Sequence, residues 1–348
     1  ITDKNELIKK IDSFLQRYGE KVHFDTHLTK IIRKIQRGRK EFDATRFFVL
    51  VAGPVKSGKS TLVNIFARNY VSPTAYRECT ALPTIIGMSD GYHLNKIVQF
   101  IPTEKNNSDP DKIETFNYIV DVIREVEDND MLEGRVSVVE SELTENNIDR
   151  IIAISDPQEK KDELVVSVGL KGGGFIDHEI VLIDMPGLDG AEVNKDSMPV
   201  YKAMAERADL IFFVQSTTSA INNESIEFLT ILFDKRSALP MLLIHNKHES
   251  QYFIADDEEK RKQLEEQINT GKERIIKTFN KNNFDGIALN LGKIDAWLNE
   301  RERIKPEYLA EIETEFARFL EIEKRWIDIL KTEKQEMKDV TNVSYNID

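Results

Sequence analysis

Cysteine and long apolar runs are scarce in this sequence. The 348 residues include one cysteine, Cys79, so an internal disulfide is excluded and a reducing compartment is favoured. No apolar run reaches the roughly 18 residues that a membrane-spanning helix needs, and no signal segment precedes the first helical pattern. We therefore expect a cytoplasmic protein.

Positive charge is also scarce relative to negative charge. The chain has 61 acidic and 48 basic residues, for a net charge of −13. Affinity for nucleic acids and for anionic lipids comes largely from Lys and Arg. The charge balance therefore argues against a nucleic-acid partner and against polybasic docking on lipid by this part of the chain. Because the chain begins at Ile1 rather than Met, we expect it to be part of a longer protein.

The middle of the chain alternates short apolar runs with helical stretches. The predicted strands are 47–51, 84–88, 97–101, 164–170, 180–183, 210–214, 241–244 and 287–289. The predicted helices lie near 60–69, 111–127, 195–207, 220–236, 254–282 and 292–301. This alternation predicts an α/β fold with a doubly wound, mostly parallel sheet. The glycine cluster at 171–174 predicts a turn that joins two adjacent antiparallel strands, 164–170 and 180–183.

Amphipathic helical stripes flank this region on both sides. Residues 1–42 carry apolar positions at helical spacing, and a second stripe follows Pro306, which suits the first turn of a helix. We expect these stripes to pack on the domain or on each other. The predicted organisation is an N-terminal helical segment at 1–42, a central domain at 43–303 and a C-terminal helix at 304–348.

A phosphate-binding pattern follows the first predicted strand. Residues 53–60 read Gly-Pro-Val-Lys-Ser-Gly-Lys-Ser, which matches the P-loop pattern between a strand and a helix. The glycines allow backbone N–H groups to approach phosphate oxygens, the Lys59 ammonium bridges the terminal phosphates, and the Ser60 hydroxyl ligates Mg²⁺. The candidate nucleotide-binding residues here are Gly53, Val55, Lys56, Ser57, Gly58, Lys59, Ser60 and Thr61.

Two further motifs follow later strands. In Ile183-Asp184-Met-Pro-Gly187, Asp184 can reach the Mg²⁺ shell through water, and the Gly187 N–H can meet the terminal phosphate. The segment Asn246-Lys247-His-Glu249 matches the pattern that recognises guanine, in which the acidic side chain accepts hydrogen bonds from two N–H groups of the base. Glu249 stands where Asp is usual, which keeps an ATPase open as an alternative. Asn290, after the last strand, is a candidate for covering the base edge.

Together these motifs resemble the dynamin superfamily of GTPases, most closely its bacterial dynamin-like branch. The similar features are Lys56, the helix start Ser60-Thr-Leu-Val-Asn64, the switch-like stretch Glu78-Cys-Thr80-Ala-Leu-Pro83, and the strand at 208–216. The long interval between Lys59 and Asp184 suits the enlarged dynamin-type domain. The flanking stripes are similar to the helical neck of that family.

The resemblance implies Mg²⁺-dependent GTP hydrolysis, with GTP/GDP and Mg²⁺ as cofactors. Lys56, Lys59, Thr80 and Gly187 would be the catalytic residues, and Ser60, Thr80 and Asp184 would form the metal site. Thr84 competes with Thr80 for that role, and Leu188 stands where Ras-type enzymes carry a glutamine. Lys56 would supply the charge of the monovalent cation that eukaryotic dynamins hold, and the alternative is a solvent-facing lysine on the loop.

The resemblance also implies a partner and a cellular task. Heads would dimerise across the nucleotide, so the partner would be a second copy in a nucleotide-dependent homodimer. Membrane remodelling would involve the membrane only through parts outside this chain, and the cytoplasmic protein would then bind peripherally to the inner face of a membrane. The alternative is a nucleotide-gated binding module that hydrolyses negligibly.

Overall fold

The computed structural model describes most of the central part of the chain and less of its ends. The described residues are 10–14, 17, 46–74, 82–88, 94–103, 109–123, 134–152, 165–171, 174–187, 198–216, 223–235, 240–246, 266, 269–270, 273 and 284–343. The larger of two compact units comprises Phe47–Phe116 and Gly134–Glu323. The smaller unit comprises Ile1–Arg46, Asn117–Glu133 and Lys324–Asp348. The predicted domain limits at 42 and 303 stay predictions.

Within the described residues, nine strands form one sheet. They are β1 Phe47–Ala52, β2 Thr84–Met88, β3 Lys96–Pro102, β4 Val136–Glu142, β5 Val165–Leu170, β6 Ile180–Asp184, β7 Leu210–Ser216, β8 Met241–Asn246 and β9 Phe284–Leu289. The helices are α1 Lys59–Ala67, α2 Asp109–Ile123, α3 Glu145–Ile152, α4 Met198–Arg207, α5 Asn223–Lys235, α6 Leu291–Asn299 and α7 Pro306–Val343. Short 3₁₀ helices span Gly174–His178 and Arg301–Arg303.

The sheet has a parallel half and a mixed half. The strand order is β4-β3-β5-β2-β6-β1-β7-β8-β9. We call β6, β1, β7, β8 and β9 the parallel half, because all of their pairings with one another are parallel. We call β2, β3, β4 and β5 the mixed half, where β2 runs parallel to β5 but antiparallel to β6, and β3 runs antiparallel to both neighbours. The prediction of an α/β fold with a mostly parallel sheet is confirmed.

The predicted pairing at the glycine cluster is wrong. Strands β5 and β6 are not adjacent, because β2 lies between them and pairs with both. A 3₁₀ helix, Gly174–His178, precedes β6 where a simple turn was expected. Glycines permit a change of chain direction, but they do not determine which strand becomes the neighbour. That choice depends on contacts far apart in sequence, here between β2 and β6.

Two elements were not predicted, and two predictions lie mostly outside the described residues. Strand β4 reads Val-Ser-Val-Val-Glu-Ser-Glu and is largely exposed, so it lacks the apolar run of a buried strand. Helix α3 follows it at once. The predicted helices at 1–42 and 254–282 are described only at residues 10–14, 17, 266, 269–270 and 273, all of which are helical. No helix in the described part of the chain is long and apolar enough to cross a bilayer.

The core of the larger unit forms where α1 and α7 meet the parallel half. Phe66 of α1 stacks on Phe212 of β7 with ring centroids 5.3 Å apart, and Phe175 lies 4.6 Å from Phe66. Phe319 of α7 completes this aromatic cluster at 5.6 Å from Phe66. Helix α7 begins at Pro306, as the sequence predicts, because proline suits the first helical turn.

Candidate functional site

Two glycines with left-handed backbone angles bound the phosphate loop between β1 and α1. Gly53 has φ 148° and Gly58 has φ 101°, conformations that side chains other than glycine rarely adopt. A Cβ on Gly53 would lie 2.0 Å from the carbonyl oxygen of Val214, and one on Gly58 would lie 2.4 Å from Nδ2 of Asn246. Glycine is therefore required at both positions by angle and by space.

The side chains of the loop divide into buried and exposed groups. Lys59 is 6 % exposed, and its Nζ donates a hydrogen bond to the carbonyl oxygen of Pro54 at 2.7 Å. Ser57 is buried, and its Oγ has no hydrogen-bond partner among the described residues. Lys56 is exposed and has φ 59°. The residues of intermediate exposure are Val55, Ser60 and Thr61.

The N-terminus of α1 is open to an anion. Gly58 is its N-cap residue, and no side chain caps the helix there. The first turn contains no acidic residue, so no carboxylate competes for its N–H groups. Helix N-termini of this kind attract phosphate through their N–H groups and the helix dipole.

Asp184 ends β6 next to this loop and is held by a short hydrogen-bond network. It is fully buried, and its Oδ2 accepts a hydrogen bond from Ser72 Oγ at 2.5 Å. The side chain of Asn64, on α1, accepts the N–H groups of Val71 and Ser72 at 2.9 Å and donates to the Ser72 carbonyl oxygen at 2.9 Å. The phosphate-loop helix therefore fixes Ser72, which in turn orients the carboxylate of Asp184.

Gly187 lies directly against the phosphate loop. A Cβ on Gly187 would be 2.2 Å from Val55 Cγ2 and 2.9 Å from Val55 Cα. The parallel pairing of Val51 with Asp184 brings the ends of β1 and β6 together. This close approach leaves the backbone of Gly187 without a side chain between it and the loop.

Asn246 joins the end of β8 to the phosphate loop. Its Nδ2 donates a hydrogen bond to the carbonyl oxygen of Ser57 at 3.0 Å, and its Oδ1 accepts the Leu291 N–H at 3.3 Å. The amide thereby connects three segments: β8, the phosphate loop and the start of α6. The sequence pattern predicts the link to the phosphate loop but not the link to α6.

The dynamin family model matches residues 49–248, which is more than half of the chain. The chain belongs to the dynamin family. This confirms the resemblance found in the sequence. The geometry described above is thus that of a dynamin-family P-loop site.

The solved structures that this chain is similar to include two bacterial dynamin pairs and a variant of Era. An oligomerised bacterial dynamin pair, described as a mechanism for long-range sensing and tethering of membranes, is 15% identical with a TM-score of 0.50, over 97% of this chain and 46% of that one. A second such pair is 14% identical with a TM-score of 0.47, over 100% of this chain and 57% of that one. A variant of Aquifex aeolicus Era bound to GDP·AlF4⁻ is 15% identical with a TM-score of 0.33, over 70% of this chain and 51% of that one.

This dynamin-family chain spans about half the length of the dynamin structures that it resembles. No curated protein matches it significantly.

Several predicted site residues of this dynamin-family chain lie outside the described residues. They are Thr80, Leu188, Lys247 and Glu249. Thr84, the competing metal candidate, is fully buried on β2, and its Oγ1 donates to the carbonyl oxygen of Leu82 at 3.1 Å. It pairs with Asp184 across the antiparallel β2–β6 contact.

Asn290 is the N-cap residue of α6. Its Oδ1 accepts the Lys293 N–H at 3.1 Å, and its own N–H donates to Oε1 of Glu315 at 2.7 Å. The side chain is fully buried, and its Nδ2 has no hydrogen-bond partner among the described residues. The structure thus gives Asn290 a capping role beside Asn246. The contact with Glu315 was not predicted, because nothing in the local sequence links positions 25 residues apart.

The described residues fit a magnesium ion of the P-loop type. No group of three or more His, Cys, Asp or Glu side chains that could hold a metal occurs in the described part of the chain. P-loop proteins do not need such a group, since a hydroxyl and the phosphates supply most of the oxygen ligands. Ser60 at the start of α1 and the oriented carboxylate of Asp184 are oxygen donors of the required kind.

Proposed function

We propose that this chain binds GTP and hydrolyses it in a Mg²⁺-dependent reaction. The observation that carries the proposal is the phosphate cradle. Gly53, Gly58 and Gly187 each approach a neighbouring group so closely that a Cβ would collide with it. Together with the buried ammonium of Lys59 and the uncapped start of α1, these glycines suit a polyphosphate.

Each phosphate-site residue has a proposed role. Lys59 would bind the terminal phosphates, Ser60 and Thr80 would hold Mg²⁺, and Asp184 would contribute to its surroundings through water. The Gly187 N–H binds the third phosphate. The metal, when bound, neutralises charge that develops on the phosphate oxygens. Ser72 supports Asp184 through its hydroxyl.

We propose that Lys56 replaces a monovalent cation. Its exposed side chain at φ 59° lies on the outer part of the loop. An ammonium beside the phosphates would supply the charge that potassium or sodium supplies elsewhere in the family. Turnover should therefore proceed without either ion.

The base-reading segment is proposed to select guanine. Asn246 ties this segment to the phosphate loop. Glu249 would accept hydrogen bonds from two N–H groups of the base, and the Lys247 side chain would cover the ring. Asn290 has a buried amide donor close to Asn246, because the next residue, Leu291, donates its N–H to the Asn246 side chain. Hydrogen bonds to a charged acid contribute roughly 1.5–3 kcal/mol each, so a poorly placed Glu249 would weaken the preference for guanine about tenfold or more. ATP is therefore the second candidate substrate.

We propose that self-association stimulates hydrolysis. Without an added catalytic charge, enzymes of this type turn over at roughly 10⁻⁴ to 10⁻² s⁻¹. Leu188 stands where a water-positioning glutamine would be, so the site lacks that help. A second copy facing the nucleotide would order the switch residues. In the full-length protein this cycle would drive membrane remodelling. The GTPase domain would comprise residues 43–303, and residues 1–42 and 304–348 would form a helical neck.

Turnover measured against protein concentration tests this proposal. Phosphate release is followed with Mg²⁺ and saturating GTP or ATP, in buffers with and without potassium. We expect the rate per molecule to rise with concentration, to be faster with GTP, and to be the same without potassium. A rate near zero at every concentration, with tight GTP binding, would favour the nucleotide-gated module. Equal use of ATP would overturn guanine selection, and a strict potassium requirement would overturn the role of Lys56.

A further inference from the structure

One face of α7 contacts α6 and the end of α1 through acidic side chains. Glu311, Glu315, Phe319 and Glu323 recur every four residues and therefore lie on the same side of the helix. Glu311 Oε1 pairs with Lys293 Nζ of α6 at 2.6 Å, and Glu323 Oε2 pairs with Arg68 Nη2 at 2.6 Å. Between these ion pairs, Glu315 contacts backbone rather than a cation at hydrogen-bond distance.

Glu315 holds the junction between β9 and α6. Its Oε1 accepts the Asn290 N–H at 2.7 Å, while Arg318 Nη1 lies 3.9 Å from its Oε2. Glu315 is 5 % exposed and Asn290 is fully buried, so water does not readily replace this hydrogen bond. Without the carboxylate, a buried N–H would lose its acceptor, and the junction would have to move to recover one.

The junction is connected to the phosphate loop by two further hydrogen bonds. Leu291, the next residue, donates its N–H to Asn246 Oδ1 at 3.3 Å. The same amide donates from Nδ2 to the Ser57 carbonyl oxygen at 3.0 Å. The two ends of the Asn246 amide are thus used in opposite directions, which fixes the rotation of its side chain. If Leu291 moves, the amide can turn and the loop loses its donor.

We propose that Glu315 is a positioning residue for nucleotide binding. It acts through Asn290, Leu291 and Asn246 to keep the phosphate loop and the base side of the site in their binding geometry. Preorganisation of this kind raises affinity by lowering the cost of ordering the site when ligand binds. The inference rests on the proposed function, since it concerns the affinity of the same nucleotide site.

A set of three variants tests this role. E315A removes the acceptor, and E315Q keeps an amide oxygen that can accept the same N–H. E313A is the matched control, because Glu313 is exposed on the same helix and its removal changes the net charge equally. Affinity and dissociation of a fluorescent GDP are measured with Mg²⁺, together with kcat and KM for GTP.

We expect E315A to weaken GDP binding about tenfold through faster dissociation, which corresponds to one lost hydrogen bond to a charged group. KM should rise with it while kcat at saturation stays unchanged. E315Q should bind within about threefold of the natural chain, and E313A should bind equally well. Unchanged affinity in E315A, an equal loss in E315Q, or a loss confined to kcat would overturn the proposal.

A double-mutant cycle separates positioning from a general loss of folding. If the effect passes through Asn246, E315A should add little to the loss caused by N246A, whereas independent effects would multiply. Full multiplication would overturn the proposal. Should E315A fail to fold, E315D replaces it, because it keeps the charge but withdraws the carboxylate by one methylene. If the natural chain binds no GDP, the proposed function itself fails; if the natural chain binds GDP and the variants bind it equally well, this inference alone fails.

Discussion

The parallel half and the mixed half of the sheet differ in how completely they are buried. Strands β6, β7 and β8 are buried at every position, as expected for parallel strands that are covered on both faces. Strand β4, at the edge of the mixed half, exposes Val138 at 48% and Val139 at 41%. Burial therefore decreases toward the β4 edge, although β2 in the mixed half is still fully buried at Thr84, Ile85 and Ile86.

The two halves also differ in the residues that their strand ends position. Parallel strands end at the same edge of a sheet. The phosphate loop after β1, Asp184 at the end of β6 and Asn246 at the end of β8 therefore lie close together. In the mixed half β3 runs antiparallel to β4 and β5, so its carboxyl end lies at the edge opposite to theirs, and β2 and β5 run antiparallel to the neighbouring β6 side of the sheet. Among the described candidate residues, only Thr84 comes from that half. Most of the described candidate residues thus follow strands that are buried along nearly their whole length.

The largest expected effect contrasts a lysine from each half. Lys59 follows β1, whereas Lys96 begins β3 and is partly exposed. K59A should weaken GTP binding by about 100-fold or more, because an ammonium makes several charged hydrogen bonds to the phosphates. K96A should bind GTP normally. Isothermal titration calorimetry with Mg²⁺ and a non-hydrolysable GTP analogue measures the affinity of both variants. Tight binding by K59A would show that Lys59 does not bind the phosphates.

The second contrast compares the same substitution in the two halves. Val49 of β1 is fully buried and Val139 of β4 is 41% exposed. V49A should lower the free energy of unfolding by about 2 kcal/mol, through lost burial and a cavity. V139A should change it by no more than about 0.5 kcal/mol, as is usual for surface positions. Urea denaturation of both variants measures this; similar losses would show that the mixed half carries an equal share of the stability.

The third contrast concerns the metal. Ser72 donates to Asp184, whereas Ser141 lies on β4. S72A should raise the Mg²⁺ concentration for half-maximal turnover about tenfold, since residues that orient a metal's ligands typically have effects of roughly 10- to 100-fold. S141A should leave it unchanged. Magnesium titrations of GTP turnover provide the measurement. An unchanged midpoint in S72A would show that the contact between Ser72 and Asp184 does not affect metal binding.

Local signals explain what could be predicted from the sequence. The apolar run before residues 53–60 and the Pro306 helix start are each contained in a few consecutive residues, so β1, the start of α1 and the start of α7 could be placed. The spacing of Asn246 after an apolar strand likewise predicted its contact with the phosphate loop. In each case the physical cause lies within one element and its flanking turns.

Contacts between distant elements could not be predicted. Ser72 meets Asp184 across 112 residues and Glu315 meets Asn290 across 25, and no periodicity or spacing signals either pair. The position of β2 between β5 and β6 was missed for the same reason, since pairing order depends on which apolar faces meet. Strand β4 was missed because an exposed edge strand carries no apolar run.

The smallest expected effect compares two hydrogen bonds made by residues that follow α1. Arg68 pairs with Glu323 of α7 at 2.6 Å, and Tyr70 donates to Asp149 of α3, which follows the mixed half's β4, at 2.7 Å. Burial raises the pKa of Glu323, and the Arg68 guanidinium opposes that shift only in part. Burial, aided by Asp149, raises the pKa of Tyr70 further above its ordinary value, so Tyr70 stays protonated at neutral pH.

Of these two contacts, only the one between Arg68 and Glu323 should therefore make stability depend on mild acidity. Above the ordinary glutamate pKa of about 4.5, the unfolded chain has released a proton that folded Glu323 still holds, so stability from this group falls as pH rises through the folded pKa. E323Q should remove that slope, whereas Y70F should shift stability by a constant amount below about pH 9. Urea midpoints from about pH 4 to about pH 8 measure both, and a slope unchanged in E323Q would assign the titration to another carboxyl.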